Sequence, residues 1–327
     1  MPSGKVLVTG AAGFIGSHLV ERLLQDGYGV KALIRYNSRN DWGLLELLPE
    51  PIKKGIEVVA GDVRDPYMVS KSVRGCHMVF HLASLIAIPY SYVAPQSYVD
   101  TNVSGTLNVM QAALDHGVTR VVHTSTSECY GTARYVPIDE KHPLQGQSPY
   151  SASKIGADMI AESYYRSFGL PVATIRPFNT FGPRQSARAI VPSIIIQALN
   201  GSDIHIGSLE PTRDMNYVDD TVDGFIKVGT VEAAIGQVTN VGTGREVSIG
   251  DLLRIIVKMM GIEPCITVDP LRIRPEKSEV DRLMCNNFKS QKLLDWKPRI
   301  GLEAGLKRTI EWFQQHRDRY KAGVYNV

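Results

Sequence analysis

Tyr150 and Lys154 stand four residues apart in the run YSASK, and upstream the stretch HTSTSECYG (His123–Gly131) sets Thr124, Thr126 and Ser127 just ahead of Glu128. On a helix, positions i and i+4 share a face, so the lysine ammonium can lie beside the phenol. A cation there stabilises phenolate and draws the tyrosine pKa down from about 10 toward the working pH, as a general base requires. Such a base can take the proton of an alcohol while hydride leaves the same carbon. If Thr126 and Glu128 lie on one strand, side chains two apart point to the same face, which puts a carboxylate beside the hydroxyl.

Elements must hold these groups in place. KVLVTG, GVKALI, IEVVAGDV, HMVFHLAS, RVVHTSTS and PVATIRP read as short β-branched runs separated by segments of helical length, the first a helix from about Phe14 to Gln25. Such alternation predicts an α/β fold: a doubly wound parallel sheet, buried on both faces and therefore nearly uniformly apolar along its strands. After Pro177 the pattern loosens, and DIHIG, QVTNVG and CITVD alternate with helices such as SIGDLLRIIVKMMG and LEAGLKRTIEWFQQH. In the first of these Ser248 is the expected N-cap, with Leu252, Ile255, Ile256, Met259 and Met260 on the core face. We divide the chain into 1–178, a nucleotide-binding part, and 179–327, a smaller α/β substrate part, with some crossing back.

VTGAAGFIGSH sets Gly10, Gly13 and Gly16 directly after the first strand and at the mouth of the first helix. Glycines there permit a tight turn and let backbone approach a pyrophosphate, whose charge the helix N-terminus favours. The dinucleotide is NAD or NADP. The end of the second strand offers Ile34 and Arg35 in place of a ribose-binding carboxylate, so Arg35 either meets a 2′-phosphate or stacks on adenine facing water.

Bulk properties exclude other classes. With 43% apolar and 21% charged residues, the composition is that of an ordinary globular protein. The 36 basic and 33 acidic side chains are scattered, which argues against nucleic acid as a partner. Cys76, Cys129, Cys265 and Cys285 show no CxxC spacing and no histidine cluster, so neither a metal nor a disulfide framework is indicated. No apolar leader or membrane segment is visible, and we read the protein as cytoplasmic.

TGAAGFIGSH, GDVRD, HLAS, TNVSGT, YSASK, RPFNTFGPR and RDMNYVDD occur in that order, and with them the whole chain resembles the extended short-chain dehydrogenase/reductases, in their nucleotide-sugar branch. The resemblance implies a coenzyme held by Gly10, Gly13, Phe14, Ile15 and Gly16, by Asp62 and Val63 at adenine, by Leu82, Ala83 and Ser84 at its middle, and by Asn102, Thr124, Tyr150, Lys154 and Pro177. It gives Thr126 the role of orienting the substrate hydroxyl and Tyr150. It places Asn179, Arg213 and Arg274 at the sugar diphosphate, with Arg184 and Arg272 as secondary candidates, and Ser127 also among the substrate-binding residues.

Epimerase relatives need no carboxylate after the threonine, whereas 4,6-dehydratase relatives read Thr-Asp-Glu; here the run is Thr126-Ser127-Glu128. Oxidising C4 to a ketone acidifies the C5 proton, and a carboxylate can remove it as the C6 hydroxyl leaves. Without the aspartate, either Glu128 carries that proton to the leaving oxygen, or Tyr90 or Tyr92 supplies one. ASLIAIPYSY, FNTFGPRQSARA, LRIRPEKSEVDRL and the closing YKAGVYNV most resemble dehydratases of nucleotide-linked N-acetylglucosamine in pathways of the legionaminic-acid type, which implies a UDP- or GDP-N-acetylhexosamine substrate. The rivals are a 4-epimerase and a dinucleotide-binding regulator without chemistry. Relatives pair through two helices that here carry Leu107, Met110, Ala113, Ile155, Met159 and Tyr164, so a homodimer is expected.

Overall fold

A computed structural model describes residues 4–201 and 203–321, so most of the closing YKAGVYNV lies outside the described residues. The strands in chain order are β1 (Lys5–Thr9), β2 (Gly29–Arg35), β3 (Ile56–Gly61), β4 (Met78–His81), β5 (Arg120–Thr124), β6 (Val172–Pro177), β7 (Asn179–Phe181), β8 (Asp203–Ile206), β9 (Thr212–Arg213), β10 (Met215–Tyr217), β11 (Val238–Val241), β12 (Val247–Ser248) and β13 (Cys265–Val268). Among the described residues seven of them form one parallel sheet in the order β11-β6-β5-β4-β1-β2-β3. The order reverses between β1 and β4, where connections leave toward opposite faces and a crevice opens.

Burial explains the strand composition. β1, β4, β5 and β6 are covered on both faces and carry Val6, Val8, Phe80, Val121, Val122 and Ile175 with no meaningful exposure. β3 is the edge, and its side chains are only partly covered. The helix predicted near Phe14 runs Phe14–Gln25, and Leu19, Val20 and Leu23 bury one stripe of it against the sheet.

The second half is not separate from the first. β11 pairs with β6 in register Thr239↔Ile175, and helix Val218–Thr230 packs its Val222, Phe225 and Val228 into the same core. Three two-stranded sheets, β10-β7, β12-β9 and β13-β8, complete this half among the described residues. Ser248 caps helix Ile249–Met260 by accepting from Asp251 N at 3.0 Å. Leu252 and Ile256 are buried there, but Met259, in the last turn of the helix, is exposed. Among the described residues no helix is long and apolar enough to cross a membrane.

Two expectations change. RVVHTSTS is a strand only to Thr124; the chain then turns, and Ser127–Tyr130 form a 3₁₀ turn capped by Thr126, whose Oγ1 accepts from Glu128 N at 3.2 Å. The six residues chosen for a dimer face also divide. Met110, Ala113 and Tyr164 are buried in the subunit's own core, while Leu107 and Met159 are exposed.

Candidate active site

The seven strands of the large sheet are all parallel, so their carboxyl ends meet along one edge. Gly10 leaves β1 with φ +70°, and a Cβ there would sit 2.8 Å from Ala83 N. A Cβ at Gly16 would sit 2.2 Å from Gly10 O. Only glycine fits either place, and the result is a turn pressed onto the loop that follows β4. Thr9 fastens that loop: its Oγ1 accepts from Leu82 N and Ala83 N, each at 3.1 Å. Gly13 caps helix Phe14–Gln25 without a side-chain bond, and no acid stands in the first turn, so the backbone N–H groups face an anion site free of competing carboxylate.

The residues that the resemblance assigns to adenosine stand at the ends of β2 and β3. Asp62 is held by Arg64, whose Nη2 donates to it at 2.6 Å and keeps its carboxyl below the usual range. Arg35 ends β2, is exposed, and lies within the field of Asp62. Val63 is buried against Gly105.

Tyr150, Lys154, Thr126 and Glu128 come together where β5 ends. Helix Pro149–Phe168 begins with a full capping box, Ser148 with Ser151, and Pro149 at its first position. It therefore presents Tyr150 and Lys154 inward, 6% and 5% exposed. Burial pushes the Tyr150 phenol well above its usual range, and the fields of Cys129, Glu128 and Tyr98 add to this; the adjacent Thr126 hydroxyl acts the other way. The lysine makes no hydrogen bond to the phenol. Its Nζ donates to Thr124 O at 2.6 Å, and burial lowers its pKa. In the protein by itself desolvation is the largest influence on the phenol.

Glu128 is 9% exposed and reaches this cluster through the 3₁₀ turn, not through strand alternation. Its field acts on Tyr150 on one side and on Arg213 on the other. Arg213 Nη1 donates to Val280 O at 2.7 Å, and its Nη2 reaches Glu279 Oε1 at 3.2 Å. Arg274 reaches the same oxygen at 3.4 Å, so two guanidinium groups converge on one carboxylate at the edge of the cleft. Asn179 opens β7, in register with Met215 two residues after Arg213. Two buried polar atoms here lack any partner, Thr124 Oγ1 and Asn179 Oδ1. A buried polar group with no partner costs stability, and in a cleft it fits a polar ligand.

The comparisons with known proteins agree. The family described as GDP-mannose 4,6 dehydratase matches residues 7–309. The UDP-glucose 4-epimerase of Mycolicibacterium smegmatis is 35% identical over 95% of this chain and 98% of its own. The dTDP-glucose 4,6-dehydratase of Streptomyces antibioticus is 34% identical over 95% of this chain and 93% of its own. The solved structure of DesIV, a dTDP-glucose 4,6-dehydratase from Streptomyces venezuelae crystallised with NAD, superposes with a TM-score of 0.85 at 30% identity, covering 97% of this chain and 99% of that one. The chain belongs to the GDP-mannose 4,6 dehydratase family. It is an extended short-chain dehydrogenase/reductase, an enzyme of the nucleotide-sugar dehydratase and epimerase group.

Within this family fold, several sequence-chosen residues stand elsewhere than expected. Asn102 is wholly engaged with protein: its Oδ1 accepts from Leu85 N at 2.8 Å and its Nδ2 donates to Leu85 O and Ser153 Oγ. It fixes the loop after Ser84 and has no donor left for a coenzyme. Arg184 pairs with Glu21 at 2.7 Å, beside the first helix and away from Arg213. Arg272 pairs with Asp269 at 3.2 Å. Ser127 is buried, and Tyr92 shares a hydrogen bond of 2.6 Å with Ser278. Glu279, which holds both arginines, was missed; its place five residues after Arg274 was the available signal.

Proposed function

We propose that the protein is a nucleotide-sugar 4,6-dehydratase, a hydro-lyase that converts a UDP- or GDP-N-acetylhexosamine to its 4-keto-6-deoxy product. The observation that carries this reading is the buried carboxylate of Glu128 in the same cluster as Thr126 and Tyr150. Oxidation and rotation of a sugar ketone need no second base; elimination does. The N-acetylhexosamine rests on the family resemblance of the LRIRPEKSEVDRL and ASLIAIPYSY segments.

The glycine turn, the unpartnered Thr124 hydroxyl and the first helix's N-terminus fit NAD or NADP. Such a coenzyme supplies a hydride acceptor at C4 and a donor at C6. Tyr150 takes the C4 hydroxyl proton, with Thr126 orienting that hydroxyl. Lys154 holds the end of β5 through Thr124 O and keeps a positive charge in the site. Glu128 removes the C5 proton and delivers it to the departing C6 oxygen, which leaves as water; as hydride returns to C6, C5 takes a proton from solvent, which balances the one Tyr150 took from the C4 hydroxyl. Tyr92 is bonded to Ser278, which leaves Tyr90 as the other candidate acid. Arg213 and Arg274 exchange Glu279 for the diphosphate. We further propose a homodimer in which the exposed Leu107 and Met159 contribute to the contact.

The test is incubation with UDP- and GDP-N-acetylglucosamine and coenzyme, followed by mass. We expect a product lighter by one water from one of the two. A stereoisomer of unchanged mass would make the protein a 4-epimerase instead.

A further inference from the structure

Beneath the candidate site lies a buried polar network that the mechanism above leaves unused. Asp158 follows Lys154 by one turn of helix Pro149–Phe168 and Tyr150 by two, and is 4% exposed. Its Oδ1 accepts from His123 Nε2 at 2.9 Å, and its Oδ2 accepts from Ser125 Oγ at 2.6 Å and from Arg176 Nη2 at 2.7 Å. Arg176 Nε in turn donates to Ser125 Oγ at 3.0 Å. Lys154, one turn earlier, donates to Thr124 O. Two residues on one helix thus grip three consecutive residues, 123, 124 and 125, immediately before Thr126.

We propose that Asp158 is a positioning residue of the reaction: through Ser125 and His123 it sets the register between the helix carrying Tyr150 and Lys154 and the turn carrying Thr126 and Glu128, and it is the counter-charge that Lys154 faces. This rests on reading Tyr150, Lys154, Thr126 and Glu128 as the reacting group.

The surroundings of Lys154 support the second half. Its charge and those of Asp158 on its own helix and Cys129 on the 3₁₀ turn act on one another, it acts also on His123 of β5 and His81 of β4, and Arg176 of β6 is bonded to Asp158. Burial keeps both histidines neutral by lowering their pKa, and it pushes the Cys129 thiol up to about 12. Burial also works against the Asp158 carboxylate, but Arg176, His123 and Ser125 outweigh it and hold Asp158 ionised. Asp158 is therefore the carboxylate whose field supports that ammonium. The first half follows from geometry: a small shift of the helix along β5 separates Tyr150 from Thr126, and misplacement by about 1 Å can cost on the order of a hundredfold in rate.

The test uses Asp158→Asn and Ser125→Ala in the full-length protein, assayed with whichever of UDP- or GDP-N-acetylglucosamine the wild type dehydrates. Asp158→Asn leaves the positive charge of Arg176 unbalanced and lowers the Lys154 pKa. We expect kcat to fall at least tenfold with KM within threefold, and the alkaline limb of kcat/KM to move to lower pH. Ser125→Ala cuts the link to the turn but keeps the charge. It is expected to lower kcat at least fivefold with the alkaline limb unmoved, and it decides the matter if Asp158→Asn does not fold. Wild-type kcat in either variant, or an unmoved alkaline limb in a folded Asp158→Asn, would overturn the proposal. Retained turnover in Tyr150→Phe would instead overturn the reading of the site itself.

Discussion

At the scale of single residues, desolvation and placement decide the chemistry more than residue type does. Tyr150 and Lys154 were legible from their spacing, and the structure puts both deep under the sheet edge. Their electrostatic coupling was not legible, because it depends on burial and on Thr124 O, which takes the ammonium. The same holds for Glu128, whose approach to Thr126 comes from a turn where alternation along a strand was expected. The pH profile follows from signs. Tyr150 acts after losing its proton and Lys154 while keeping its own, so kcat/KM should rise with pH through the tyrosine limb and fall as the lysine deprotonates; a bell shape in a pH–rate series checks this. Arg35 gives a second outcome. With no carboxylate at the end of β2, its exposed guanidinium would meet a 2′-phosphate if NADP is the coenzyme, and would stack on adenine if it is NAD. Arg35→Gln should weaken NADPH binding at least tenfold and leave NADH binding within twofold, as read by coenzyme fluorescence titration.

Elements were the most legible level. Helix Phe14–Gln25 and the cap at Ser248 stand as read, because local pattern and capping chemistry act over a few residues. Faces depend on neighbours: Met110, Ala113 and Tyr164 are covered by their own subunit, while Leu107 and Met159 stay exposed. The helix carrying Tyr150 depends on its start. Ser148 Oγ accepts from Ser151 N at 3.1 Å, and Ser151 Oγ accepts from Ser148 N at 3.0 Å. Ser148→Ala should cost about 1 kcal/mol, visible as a lower urea midpoint with an unchanged m-value. Because the first turn holds Tyr150, the same variant should lose activity beyond its loss of stability.

For the whole molecule, the division at 178/179 captured a change in pattern rather than a separable unit. β11 joins the first sheet and helix Val218–Thr230 packs into its core, the crossing back that the division allowed for. His18 joins the two halves, its Nε2–H donating to Pro183 O at 3.0 Å, next to the Arg184–Glu21 pair. Burial, with Arg184 nearby, lowers its pKa from 6.5 to about 4. A histidine depressed in this way binds a proton in the unfolded chain before it does in the native one. Its stabilisation is therefore complete above about pH 6.5 and is lost as pH falls through about 4, a contribution of up to about 3 kcal/mol. Urea unfolding at pH 7 and pH 4.5 should show the loss, and His18→Gln should reduce the difference between them.

The central claim is that Glu128 is the base of an elimination, and solvent exchange at C5 tests it most directly. In deuterium oxide the wild-type enzyme should place one deuterium at C5 of a product lighter by one water, and Glu128→Gln should lower turnover by about a hundredfold or more and abolish that labelling. Wild-type turnover with wild-type C5 labelling in Glu128→Gln would contradict it.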